Sequence, residues 1–209
     1  MTRAVLPTLS DNGMKTIPIT LEQLQKYVED LAARAAVLTR SVAIPLTSLR
    51  IHDAIKDALP DSAGTDDMGL ADAVGSAALG VITADDDQTG YALHLFQIPA
   101  DYKAGTDLTV VLRAKTTGLG QVANVFDVEA KLVGDATVGS DICATAAQTV
   151  TTAFANYSFT ITGTSLAAGD VLQIRIRYNM NDTGGGGAAG VATLAKVSVS
   201  YSANGMDGA

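Results

Sequence analysis

The chain has no tryptophan, four phenylalanines, five prolines and one cysteine among 209 residues. Each shortage excludes something. Cys143, standing alone, rules out an intrachain disulfide and a cysteine-rich metal site, so stability must come from a core or from assembly. Without tryptophan, a stacking platform for sugar rings is poor. Positive charge is scarce: 14 Lys and Arg stand against 22 Asp and Glu, a net charge of −8. The basic residues are spread singly along the chain. An acidic surface repels phosphate backbones, so nucleic acid is not expected as a partner. No apolar run reaches membrane-spanning length, so no membrane partner is expected either. Residues 1–15 lack the apolar block and small-residue cleavage site of a secretory signal, which predicts folding in a cytoplasm.

What is present begins with a stripe. From Thr20 to Val42, the residues Leu21, Leu24, Val28, Leu31, Ala35, Leu38 and Val42 recur at alternating spacings of three and four. That is a heptad seam, the pattern of a short coiled coil. Thr20 with Gln23 forms a capping box that starts the helix, and Glu22 and Arg40 complement its dipole. Burying each large seam residue contributes about 1.5–3 kcal/mol, whereas ordering each residue's backbone costs about 1–2 kcal/mol. Three heptads therefore need a partner, either further copies of the chain or its own β region. No charge ladder flanks the seam, and the seam alone does not fix the copy number.

After the stripe the period changes to two. Leu108, Val110, Leu112 and Ala114 alternate with Thr109, Val111, Arg113 and Lys115. Similar alternation runs through Phe126–Leu132, Tyr157–Thr162, Leu172–Tyr178 and Ala195–Tyr201. One dry face and one wet face, separated by Gly/Asp-rich turns, predict antiparallel sheets packed face to face. Tyr91–Ile98, apolar on both faces, reads as a centrally buried strand, and Ala43–Ile51 as the first strand. The expected fold is mainly β: an antiparallel jelly-roll β-sandwich of about eight strands, preceded by an N-terminal arm and a heptad-patterned α-helix. The expected domains are an arm over 1–19, an oligomerising helix over 20–42, the sandwich over 43–203 and a tail over 204–209.

Signals for chemistry are weak. Asp66-Asp67 and Asp85-Asp86-Asp87 are carboxylate clusters on predicted loops, but EF-hand spacing is absent and such runs are usually solvated. His52 and His94 fall in no metal-ligand spacing, and no Gly-x-Ser-x-Gly elbow is present. Gly184–Gly187 is followed by no Lys-Ser/Thr and so is no phosphate loop. No catalytic residue, cofactor or metal is expected.

The run Val138-Gly-Ser-Asp-Ile-Cys-Ala-Thr-Ala-Ala-Gln-Thr-Val resembles virion structural proteins of tailed bacteriophages. So do Tyr157-Ser-Phe-Thr-Ile-Thr, Leu166-Ala-Ala-Gly-Asp-Val-Leu-Gln-Ile-Arg-Ile, Ser48-Leu-Arg-Ile-His-Asp-Ala and Ile98-Pro-Ala-Asp-Tyr-Lys-Ala-Gly. The resemblance spans residues 48–201 and implies a non-enzymatic particle component. Joined to the heptad stripe, it leads to an expected capsid decoration or cement protein. Such a protein, a homotrimer bound to the major capsid protein on the virion surface, would stabilise the assembled head by mass action and avidity. The alternative is a tail-fibre or receptor-binding module that binds carbohydrate.

Overall fold

The computed structural model describes residues 20–34, 38–59, 68–73, 76–82, 88–117, 125–134, 137–180 and 191–204. The expected arm, Ala35, both acidic clusters and the Gly184–Gly187 tip lie outside them. The chain divides into two compact units, Met1–Leu38 with Asn204–Ala209, and Thr39–Ala203.

In the first unit, α1 (Leu21–Arg34) starts at the expected capping box. The Thr20 N–H donates to Gln23 Oε1 at 2.9 Å, and the Gln23 N–H donates to Thr20 Oγ1 at 3.2 Å. The helix stops at Arg34, eight residues short of the expected end at Val42, and the chain re-forms as β1 (Leu38–Ile44). Leu38 and Val42 therefore lie on a strand, not on a helical seam. A spacing of four keeps residues on one face of a helix and equally on one face of a strand, so the pattern did not discriminate. Composition did: Thr39, Ser41 and Val42 are weak helix formers, and Pro45 pushes Ile44 into extended backbone. The strand expected over Ala43–Ile51 instead starts at Leu38 and ends at Ile44, giving way to a 3-10 turn at Leu46–Ser48.

Ten further strands follow: β2 (Gly69–Ala73), β3 (Ser76–Ile82), β4 (Gln88–Gln97), β5 (Leu108–Thr117), β6 (Val125–Val133), β7 (Val138–Asp141), β8 (Gln148–Thr149), β9 (Ala155–Ile161), β10 (Val171–Met180) and β11 (Val191–Ala203). They form two antiparallel sheets. One has six strands in the order β2-β3-β11-β5-β9, with β1 also on β11; the other has five, β4-β10-β6-β7, with β8 also on β6. From β3 to β6, and again from β9 to β11, successive strands alternate between sheets, as in a jelly roll. The expected mainly β, antiparallel two-sheet architecture is what the chain adopts.

The core lies between the sheets and is built from the alternating apolar positions. Leu108, Val110, Leu112, Tyr157, Phe159 and Ile161 come from the six-stranded sheet; Phe126, Val128, Leu172, Ile174, Ile176 and Tyr178 come from the five-stranded one. The Phe126 and Tyr178 rings pack with centroids 4.9 Å apart. Burial pushes the Tyr178 hydroxyl up to about 12, opposed by its 3.5 Å contact with Thr116 Oγ1. The alternation in β11 changes phase. Leu194 is buried and so are Val197 and Val199, because the pairing with β5 slips between Leu194 and Lys196. Ala195, expected on the dry face, is the extra residue of this β-bulge. Tyr102 is buried, and its hydroxyl donates to the Thr106 carbonyl. Gly163 approaches the same carbonyl so closely that a Cβ there would overlap it.

Candidate functional site

Among the described residues, three of the four ion pairs lie on the outer face of the five-stranded sheet. Period two sends Gln173, Arg175 and Arg177 of β10 outward, opposite to Leu172, Ile174 and Ile176. Register then sets three rows across β4, β10 and β6: Tyr91–Arg177–Asp127, Leu93–Arg175–Glu129 and Leu95–Gln173–Lys131. Arg177 pairs with Asp127 at 2.5 Å, Arg175 pairs with Glu129, and Lys131 lies 3.4 Å from Glu129. Cross-strand opposite charges of this kind stabilise a sheet by a few tenths of a kcal/mol to about 1 kcal/mol each. The Nε of Arg175 and of Arg177 is buried without an acceptor, a cost this face bears.

One side of the face is bounded by the segment that follows β1. Arg50 exchanges two backbone hydrogen bonds with Leu93, at 2.8 and 2.9 Å, which extends the sheet past β4. Tyr91–Ile98 is thus not a central strand. It is apolar on both faces because Leu93, on the outer side, is buried although it lies apart from the main core. The same segment places His52 against Tyr91, ring centroids 4.4 Å apart, and the Arg175 guanidinium lies 5.1 Å from the Tyr91 ring centre. Between these groups is a cleft of about 60 Å³ lined by His52, Leu93, Glu129, Lys131, Gln173 and Arg175. It has room for only a few waters. A pocket that encloses a small substrate is several times larger, so a ligand here would lie across the face.

Burial pushes the Glu129 carboxyl up, but the hydrogen bond and charge of Arg175, with Lys131 behind them, outweigh it and leave it below the ordinary carboxylate value. Glu129 is therefore ionised at neutral pH. It does not match the proton-donating acid of a glycosidase, whose pKa is raised.

Elsewhere the candidate residues are scattered. Leu21, Leu24 and Val28 are exposed on α1, at 71, 42 and 57 %, and Leu31 lies on the same helix. Leu38 and Val42 are exposed on β1. His94 points to the core side of β4, where its Nδ1 lies 3.3 Å from Ser48 Oγ, which itself donates to the Pro45 carbonyl at 2.7 Å. Burial lowers the His94 pKa, partly offset by the Ser48 contact, with the Arg50 charge lowering it further. Among the described residues no carboxylate hydrogen-bonds to this histidine, so the pair clasps the 3-10 turn to β4 and does not form a catalytic triad. Among the described residues, no group of three or more His, Cys, Asp or Glu side chains could hold a metal ion. Among them, no helix is long and apolar enough to cross a membrane.

No protein-family model matches the chain, and no curated protein matches it. Solved structures do. One, described as "CBM4 structure and function", is 19% identical with a TM-score of 0.40, over 66% of this chain and 91% of that one. TmCBM61, solved in complex with β-1,4-galactotriose, is 10% identical with a TM-score of 0.36, over 77% of this chain and 86% of that one. The enzymatically active domain of bacteriophage CBA120 tailspike protein 4 is also 10% identical with a TM-score of 0.36, over 79% of this chain but 19% of its own length. None of these three is a capsid decoration protein. At these scores and identities they assign no function to the chain.

The ion-pair rows were missed in the sequence because their members lie 46 and 50 residues apart. The available signal was opposite charge on two wet strand faces, Asp127 and Glu129 against Arg175 and Arg177. Tyr91 was missed because it opens an apolar run.

Proposed function

We propose that this chain is a non-catalytic binding module whose five-stranded sheet presents its outer face to a carbohydrate chain. The observation that carries the reading is the Tyr91–His52 ring pair, 4.4 Å apart, set beside rows of planar guanidinium, carboxylate and amide groups. Sugar rings offer apolar faces to aromatic rings and hydroxyls to charged and amide groups, which bind them by charge-assisted hydrogen bonds. Pairing with Arg175 and Arg177 keeps the carboxylates ionised as acceptors, while Gln173 both donates and accepts. The small cleft and the lowered Glu129 pKa favour holding a glycan over cutting it.

The test is a broad neutral-glycan panel followed by calorimetry on any glycan retained. Tyr91→Ala is expected to weaken binding by about tenfold or more, and Gln173→Ala by somewhat less, since losing a buried hydrogen bond costs about 1–3 kcal/mol. Silence across the panel, with the fold intact by circular dichroism, would sink the reading.

A second reading rests on α1. Leu21, Leu24 and Val28 expose a stripe at heptad spacing on a helix of 14 residues, a length marginal without packing. This favours self-association through α1, and with the phage resemblance it supports a decoration role on a virion, the chain sitting on the major capsid protein as a trimer. With Leu38 and Val42 on β1, the helical part of the seam is shorter than first expected. Leu24→Asp is expected to lower the mass seen by light scattering to that of one chain. A wild-type chain that is already monomeric and does not bind particles would dispose of this reading.

A further inference from the structure

The other sheet presents a second face of opposite character. Outward positions of β5 are Thr109, Val111, Arg113 and Lys115. Pairing with β11 sets Lys196 directly across from Arg113, and pairing with β9 sets Asn156 on the other side of it. Lys115 lies two residues along the same strand, about 7 Å away on the same face. Three cations that are scattered in the sequence thus meet in one patch. The expectation that the basic residues stand singly does not hold in the fold. The exposed ring of Phe154 lies under two of them, 4.8 Å from Lys115 Nζ and 5.7 Å from the Arg113 guanidinium carbon.

Like charges directly opposed across strands destabilise a sheet. On the five-stranded sheet every arginine of the face has a carboxylate partner; here none of the three cations forms an ion pair among the described residues. The cluster is also out of keeping with the rest of the chain. Of 14 basic and 22 acidic residues, setting these three aside leaves 11 against 22, a body of −11. A positive patch held without counter-charge on so acidic a molecule points to a ligand that supplies the missing negative charge.

We propose that this face binds an acidic polysaccharide, one with carboxylates carried on successive or alternate sugars. Arg113, Lys115 and Lys196 meet the carboxylates, and the exposed Asn156 and Ser158 beside them meet hydroxyls. Charge spacing decides against nucleic acid. Duplex DNA carries one charge per roughly 1.7 Å, so its many phosphates beyond the patch would face the acidic body, whereas a uronate chain is charged far more sparsely. A protein partner is disfavoured because stable interfaces bury apolar anchors in a well-packed centre. The large apolar side chain within the patch, Phe154, is 39% exposed and lies against the cations, not in a well-packed centre. The site is separate from the ring-lined face proposed above and does not depend on it.

The test titrates the full chain with polygalacturonate, with its methyl ester and with duplex DNA. Polygalacturonate should bind, its ester should not, and DNA should bind at least about tenfold more weakly. The double variant Arg113→Gln/Lys196→Gln should lose binding about tenfold or more and flatten the salt dependence by up to about two in log–log slope. The variant Lys56→Gln/Lys103→Gln, which makes the same change in net charge elsewhere, should keep both. Equal binding of acid and ester, equal loss in the two variants, or DNA bound as well as polygalacturonate would each overturn the proposal, the last in favour of a nucleic-acid face. No binding of polygalacturonate at low salt would do so as well.

Discussion

The two outer faces of this sandwich are made by the same alternation on antiparallel strands, yet they handle charge in opposite ways. On the five-stranded sheet, Arg175 and Arg177 are each matched by a carboxylate one strand away. On the six-stranded sheet, Arg113 faces Lys196. The first face is neutralised internally, so its charges act as rigid hydrogen-bonding groups. The second is left open, so its charges act at a distance and depend on salt. The lesson is that register, and not composition, decides whether charge on a sheet is structural or available.

The severest way to break the comparison is to remove what both faces share. Phe159 packs inward from the six-stranded sheet into the same core as Phe126 of the five-stranded one. Phe159→Ala should cost about 3–5 kcal/mol in urea denaturation and should abolish binding at both faces together. Loss at one face with the other intact would mean that the sheets do not fold as one unit.

Next comes a contrast between two arginines. Arg175→Ala leaves Glu129 part-buried with only Lys131 near it, and should destabilise by about 1–3 kcal/mol. Arg113→Ala removes an exposed cation from a like-charge pair, and should change stability by no more than about 0.5 kcal/mol. Equal losses from the two substitutions would erase the distinction drawn here.

The smallest effect is in acid. Because the folded Glu129 carboxyl lies below its ordinary value, its contribution to stability is full above that value and fades as pH falls through the lower folded one. Thermal melts taken from pH 6 downward should therefore show a decline beginning near pH 4.5, the ordinary carboxylate value, that is shallower in Arg175→Ala. The six-stranded face, where among the described residues no carboxylate pairs with Arg113, Lys115 or Lys196, should show no corresponding change in Arg113→Ala.

Much of the sandwich was legible from period two alone. β5, β6, β9 and β10 carry the expected residues inward because each has one dry face and one wet face. The capping box was equally readable, since both of its partners lie within four residues. What escaped reading had one of three physical causes. The helix end was hidden by a spacing common to both periods. The inward phase of β11 was hidden by a bulge, which leaves no mark in the pattern beyond a doubled apolar step at Leu194-Ala195. Both charged faces were hidden because a cross-strand pair has no fixed separation in sequence, as with Arg175 and Glu129, 46 residues apart.

The slip between Leu194 and Lys196 also bears on how this chain can change over generations. Its two flanking halves are buried on opposite parities of the numbering, even through Leu194 and odd from Val197. Because the bulge absorbs one residue, dropping Ala195 would leave Ala192, Leu194, Val197, Val199 and Tyr201 all facing inward on a uniform strand. Lineages of this fold should therefore tolerate loss of the residue at 195, while a one-residue gain or loss inside the bulge-free β10 turns half of that strand inside out.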